Sequence, residues 1–297
     1  MIITPDIDKL IDLAIMEDYS SGDATTQSLI PPDLPGEATL VSDEAGILAG
    51  LDISLKVFTK IDGNISITNT IADGSRLDEG SQIATISGPL GSILTAERTS
   101  LNFLRKLSGV ATETGKYVKE IAHTNARIVD TRKTTPGFRT LEKYAVRMGG
   151  GLNHRQNLSD GILIKDNHRQ TLSKHGLDLK NVILKAISNA SHTIKVEIEV
   201  ETIADVKIAL DAGAGIIMLD NMSLSDMASA VELCKDKAIT EASGGINLSS
   251  VKDVAETGVD LISVGAITHA APNLDLSMDI KQKLNTILVH YSKNQPL

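Results

Sequence analysis

Apolar runs in this chain stop, one after another, on residues that can do chemistry. "ARIVDTRK" ends in Arg132-Lys133, "GILIKDN" carries Lys165, "KVEIEV" carries Glu199 and "GIIMLDN" carries Asp220. The next two, "AITEASGG" and "LISVGA", end in Ser243-Gly244-Gly245 and in Gly265-Ala266. One run ending in a charge is an ordinary solvated strand end. Four in succession, followed by two glycine-rich ends, point to a common site. Arg132 and Lys133 repel each other unless something anionic lies between or beyond them. "GGGLNHRQNL" adds His154 and Arg155, and "AERTSLNFL" adds Arg98, which read alone is a surface residue. Such cations suit substrates that carry several carboxylates and phosphates. Glu199 and Asp220 can hold Mg²⁺ through water, bind ribose hydroxyls or stabilise a cationic sugar centre. The spacing argues against zinc: His154 and His168 stand 14 residues apart with no Cys or second His nearby.

These residues need a frame that brings strand ends together. From "ARIVDTRK" onward, six apolar strand-like runs alternate with helical ones such as "ETIADVKIALDAGA", "SLSDMASAVELCKD" and "NLSSVKDVAETGVD". Each of those helical runs starts near a capping Thr, Ser or Asn. Strict alternation implies parallel strands with helices outside. Glu199 to Asp220, Asp220 to Ser243 and Ser243 to Gly265 are 21, 23 and 22 residues, the length of a compact βα unit. Six strands are fewer than the eight of a standard barrel, so an incomplete or variant α/β barrel is expected. A doubly wound sheet is the alternative, although no G-x-G-x-x-G follows a first strand. In either fold, ligands bind at the carboxyl ends of the strands. Alternation along "KVEIEV" turns Lys195, Glu197 and Glu199 inward and Val196, Ile198 and Val200 toward the helices. If Val129 also meets the helices, Asp130 and Arg132 point inward, and the strand ends between Arg132 and Lys133. Buried charges must be paired, so Asp130 and Glu197 are expected to support nearby Lys and Arg. "ASGGINLSS" offers free backbone N–H groups just before a helix, a site for a phosphate, and "SVGAIT" repeats the pattern.

The first hundred or so residues differ. An amphipathic helix over about 6–17 precedes the turn-rich "EDYSSGDATT". Short alternating runs punctuated by Gly and Asp-Gly then read as antiparallel strands, with "ISLKVFTKI" as a helix between them. The spacing resembles that of biotinyl and lipoyl carrier modules, but the hairpin tip "RLDEG" lacks their lysine. "SILTAERTSLNFLRKLSGVATETGKYVKEIAHT" is helical with a break near Gly109, and "NLDLSMDIKQKLNTILVHY" reads as a strand-to-helix return. The expected domains are therefore 1–110, joined by 271–297, and 111–270. The formal charge of −9 and 2% aromatic content disfavour nucleic acid and anionic membranes as partners. No apolar run is long enough to span a bilayer. The single cysteine, Cys234, permits no intrachain disulfide, which fits the cytoplasm.

Together "ERTSLNFL", "DTRKTTPGFR", "GGGLNHRQNLSDGILIKDNH", "KVEIEVE", "IIMLDN", "EASGGI" and "DLISVGAITHAAPNLDLSMDI" resemble quinolinate phosphoribosyltransferases. The resemblance implies an N-terminal α/β sandwich-like domain plus an open α/β barrel. It implies a cytoplasmic homodimer or higher homo-oligomer whose active site takes Arg98 from the neighbouring subunit. It also implies that quinolinate is held by Arg98, Arg132, His154, Arg155 and Lys165. Phosphoribosyl pyrophosphate (PRPP) and Mg²⁺ would use Lys133, Glu199 and Asp220. The 5′-phosphate would sit at Ser243, Gly244, Gly245, Gly265 and Ala266. The implied products are nicotinate mononucleotide, pyrophosphate and CO₂, in NAD biosynthesis. The rivals are a non-decarboxylating pyridine phosphoribosyltransferase, which needs fewer cations, and a molybdenum-transport-associated paralogue. Leu152 and Gln156 depart from the usual pattern beside matched positions, without removing a charge.

Overall fold

The computed structural model describes residues 1–281. The first elements are α1 (Pro5–Tyr19), α2 (Ala24–Leu29), β1 (Pro35–Ser42), β2 (Gly46–Ile47), α3 (Leu51–Ile61), β3 (Ser66–Thr68), β4 (Arg76–Leu77), β5 (Gln82–Pro89) and α4 (Leu90–Glu120). Strand and helix then alternate through β6 (Arg127–Val129), α5 (Arg139–Met148), β7 (Ile162–Ile164), α6 (Asp166–Ser173), α7 (Leu179–Asn189), β8 (Val196–Val200) and α8 (Ile203–Asp211). The remainder comprises β9 (Ile216–Asp220), α9 (Leu224–Cys234), β10 (Ile239–Ser243), α10 (Val251–Glu256), β11 (Leu261–Ser263), α11 (Ala266–His269) and β12 (Leu276–Ile280). Among the described residues, no helix is long and apolar enough to cross a membrane.

Two compact units result. Among the described residues, the first takes 1–45, 50–105 and 275–281; the second takes 46–49 and 106–274. The divisions fall at 105/106 and 274/275, not at the expected 110/111 and 270/271. α4 runs unbroken past Gly109. That glycine serves close packing instead: a Cβ there would stand 1.9 Å from the Pro272 carbonyl oxygen. The return helix expected after "NLDLSMDI" lies outside the described residues.

In the first unit, β12, β1, β5 and β3 form an antiparallel sheet in that order. Its core includes Ala38, Leu40, Ile83 and Ile86, with Ile53, Val57 and Phe58 from α3. The Asp73 carboxylate accepts the Gly50 and Leu51 N–H groups at 3.0 and 3.1 Å, satisfying donors that open α3. α2, which no sequence signal marked, is capped by Asp23 accepting the Thr26 N–H at 2.9 Å.

In the second unit, six parallel strands run in the order β7-β8-β9-β10-β11-β6. The end strands β6 and β7 do not pair with each other, so the barrel is open. Ile198, Ile217, Leu219, Ala242 and Ile262 are fully buried. Glu197, Met218, Glu241 and Ser263 line the interior cavities. Thr202 and Ser223 cap α8 and α9 through their hydroxyls. The third expected cap differs. Asn247 closes a turn by accepting the Ser249 N–H at 3.0 Å, and α10 starts only at Val251.

Candidate active site

The strand ends enclose a cavity of about 800 Å³, and among the described residues its lining comes from the second unit. Arg132 and Lys133 enter it from the segment after β6, and His154 and Arg155 from the loop after α5. Lys165, Glu199 and Asp220 follow on consecutive strands. Ser243, Gly244 and Gly245 close β10, and Gly265 and Ala266 close β11. Arg98 is not in this wall; it belongs to the first unit and is exposed there.

β6 stops at Val129, three residues short of Arg132, so the strand does not end between the cations. Its phase is also the reverse of the one expected. Val129 lines a lower cavity with Glu197 and Glu241, while the fully buried Asp130 turns to Lys143 of α5. The cause is charge pairing, because Lys143 is itself only 1% exposed. Burial pushes the Asp130 pKa up and the Lys143 pKa down, and the ion pair opposes both shifts. Asp130 also accepts the Asn153 amide at 2.6 Å and the His154 N–H at 2.9 Å. The expectation of a lysine partner for Asp130 therefore holds; the inward direction does not.

The segment beyond β6 is fastened at both ends. Thr268 Oγ1 donates to the Lys133 carbonyl at 2.7 Å. The buried Glu142 carboxylate accepts the Thr135 N–H and hydroxyl at 3.0 and 2.8 Å. The adjacent cations then separate. The Lys133 stem lies over Gly265, where a Cβ would stand 3.0 Å from Lys133 Cδ. Arg132 lies near Arg155, whose pKa is lowered by burial and then by Arg132 itself. The Nε atoms of both arginines are buried, and among the described residues they have no hydrogen-bond partner. Two cations crowded together with unpaired donors favour an anion.

Glu199 is raised from its ordinary pKa by burial first; Lys165 lowers it and Asp220 raises it. Lys165 Nζ stands 3.8 Å from Glu199. Two neighbouring carboxylates facing an anion-favouring cavity fit Mg²⁺, a hard cation that takes oxygen ligands. Gly244 and Gly245 have φ of +97° and +62°, and a Cβ on Gly244 would meet Asn221 Oδ1 at 2.2 Å. Among the described residues, the Gly244, Gly245 and Gly265 N–H groups donate to no backbone acceptor. Helix α11 follows Gly265 directly. α10 does not follow Gly245, so the first glycine pair offers a left-handed loop in place of a helix start.

Residues 23–108 match the family profile "Quinolinate phosphoribosyl transferase, N-terminal domain", and residues 110–279 match its C-terminal domain. The chain belongs to the quinolinate phosphoribosyl transferase family. It is 41% identical to a probable carboxylating nicotinate-nucleotide pyrophosphorylase of Bacillus subtilis over 92% of both chains. A decarboxylating quinolinate phosphoribosyltransferase of Nicotiana tabacum is 37% identical, over 95% of this chain and 84% of the other. The solved nicotinate-nucleotide pyrophosphorylase of Francisella tularensis superposes with a TM-score of 0.87 at 40% identity, over 94% of this chain and 98% of the other.

In this quinolinate phosphoribosyl transferase family member, the two departures from the usual motif make backbone hydrogen bonds, and the Gln156 side-chain amide also donates to the Thr140 hydroxyl at 3.3 Å. Leu152 extends β6 by donating its N–H to Ile128 at 2.8 Å, and the Gln156 N–H donates to Asp160 at 2.7 Å. Sequence reading missed Glu241, Asn221 and His269, all of which line the cavity. Glu241 had a usable signal: it alternates with Ser243 just as Glu197 alternates with Glu199. Glu197 pairs with His154 at 3.0 Å, not with the expected Lys or Arg. Cys234 is buried, and burial pushes its thiol up to about 11, so it is no nucleophile. Burial, then Glu197, raises Glu241 from 4.5 to about 7.

A carboxyl raised on folding stabilises the fold below its unfolded pKa, and that contribution fades as pH rises through the folded value. Stability should therefore decline between pH 4.5 and 7 partly because of Glu241. Glu241→Gln should flatten that decline in urea titrations across this range. An unchanged slope would show that Glu241 is ionised throughout.

Proposed function

We propose that the protein transfers the phosphoribosyl group of PRPP to quinolinate with loss of CO₂, yielding nicotinate mononucleotide and pyrophosphate for NAD biosynthesis. The observation that carries this reading is the division of cations within one cavity. Arg132 and Arg155 crowd one corner, while Lys133 extends over Gly265. A 2,3-dicarboxylate suits the first, together with Lys165; phosphates suit the second.

The bond from ribose C1 to pyrophosphate breaks first, and C1 becomes oxocarbenium-like. Glu199 and Asp220 favour that positive charge. They also suit Mg²⁺, which when bound would offset the charge of pyrophosphate. Lys133 holds the departing phosphates, and the glycine loops after β10 and β11 hold the 5′-phosphate. The ring nitrogen attacks C1 and becomes a pyridinium. The C2–carboxylate bond then breaks, CO₂ leaves, and the electron pair left on C2 is stabilised by the cationic nitrogen until it takes a proton. Positioning and electrostatics supply the rate, with no covalent nucleophile. His154 and Ala266 complete the quinolinate and phosphate ends. A cytoplasmic homo-oligomer that lends Arg98 to the neighbouring subunit's quinolinate end belongs to the same proposal.

An assay with PRPP and Mg²⁺ should release CO₂ and nicotinate mononucleotide in equal amounts from quinolinate, and no CO₂ from nicotinate. Arg132→Ala and Lys133→Ala should each lower turnover by about 10²-fold or more while retaining native circular dichroism. Near-normal rates would remove both residues from the site. Mixing Arg98→Ala chains with Lys133→Ala chains should recover activity in hybrids. Verified hybrids without recovery would contradict a shared site.

A further inference from the structure

One imidazole and two buried acids meet inside the barrel, and the reaction above uses none of them as acid or base. His154 Nε2 stands 3.0 Å from Glu197 and 3.8 Å from Glu241. Both acids are at most 5% exposed. One donor atom from each of the three residues lies within 4.8 Å of the others, an arrangement that invites a metal ion. The other ring nitrogen argues against one. Nδ1 accepts the Arg155 backbone N–H at 2.7 Å, so its lone pair is taken and the ring proton belongs on Nε2. A ligating histidine has the opposite polarity, with its second nitrogen donating. The Nε2–H therefore donates to Glu197.

His154 is held from four directions. Its own N–H goes to Asp130 at 2.9 Å and its carbonyl accepts from Lys143 at 2.9 Å. Its ring links Glu197 on one side to the Arg155 amide on the other. The Arg155 guanidinium donates to the Gly161 carbonyl at 2.9 Å. Stability alone does not explain a carboxylate at position 197. A buried ion pair or buried charge is often no better than a well-packed apolar side chain. We propose that Glu197 is a positioning residue: through the His154 ring it fixes the Arg155 amide, and thereby the guanidinium that receives a quinolinate carboxylate. This inference rests on Arg155 serving quinolinate.

Steady-state kinetics of the full chain with Glu197→Met, Glu197→Gln and Arg155→Ala separates the two ideas. Losing one charge-assisted hydrogen bond is worth about tenfold, so Glu197→Met should raise the quinolinate KM about tenfold and leave the PRPP KM unchanged. The Gln carbonyl accepts the same Nε2–H, so Glu197→Gln should restore most of the loss. Equal rises in both KM values, or no rescue by Gln, would overturn the proposal. An unchanged quinolinate KM in Arg155→Ala would instead remove the site assignment beneath it. Imidazole ¹⁵N spectra give a readout free of activity and of any folding defect in Glu197→Met. Wild type should show His154 as the neutral Nε2–H tautomer; a proton on Nδ1, in the other tautomer or in a doubly protonated ring, would overturn the relay.

Discussion

A carboxylate cut off from water needs a cation, and Asp130 finds one in Lys143. Both are buried and each would cost several kcal/mol alone, so neither can move without the other. Their pairing does more than satisfy charge. Asp130 also takes the His154 N–H, and Lys143 the His154 carbonyl. One ion pair thus ties the end of β6, helix α5 and the His154-Arg155 loop at a single point. Beyond Asp130, whose N–H still donates to the Leu152 carbonyl at 3.1 Å, the chain leaves the sheet.

The adjacent cations follow from that departure. In a regular strand Arg132 and Lys133 would face opposite sides of the sheet. Off the strand, both line the cavity. Lys133 crosses Gly265 because no side chain stands in its way, and Arg132 lies near Arg155. In the proposed reaction, neighbours that repel in sequence divide between two anionic substrates.

Much of this was legible in the sequence. The six strands and their charged ends could be read because βα units repeat at nearly constant length, and parallel folds gather strand ends. The phase of β6 could not be read. A strand of three residues carries too little alternation to choose a face, and the deciding partner, Lys143, sits on a helix. Alternation turns Glu197 inward but does not name its partner, since His154 arrives from a loop whose course no periodicity fixes. Gly109, within a helical run, reads as a break. The reason for a glycine there is the Pro272 carbonyl, which is far away in sequence.

Arg132 and Lys133 are proposed to serve different anions. A crystal structure with PRPP and benzene-1,2-dicarboxylate, which has the carboxylates but no ring nitrogen to react, tests this directly. The dicarboxylate should contact Arg132 and Arg155, with Lys133 on phosphate oxygens near Gly265. A dicarboxylate bound by Lys133, or phosphates on Arg132, would show that the two cations are not divided in this way.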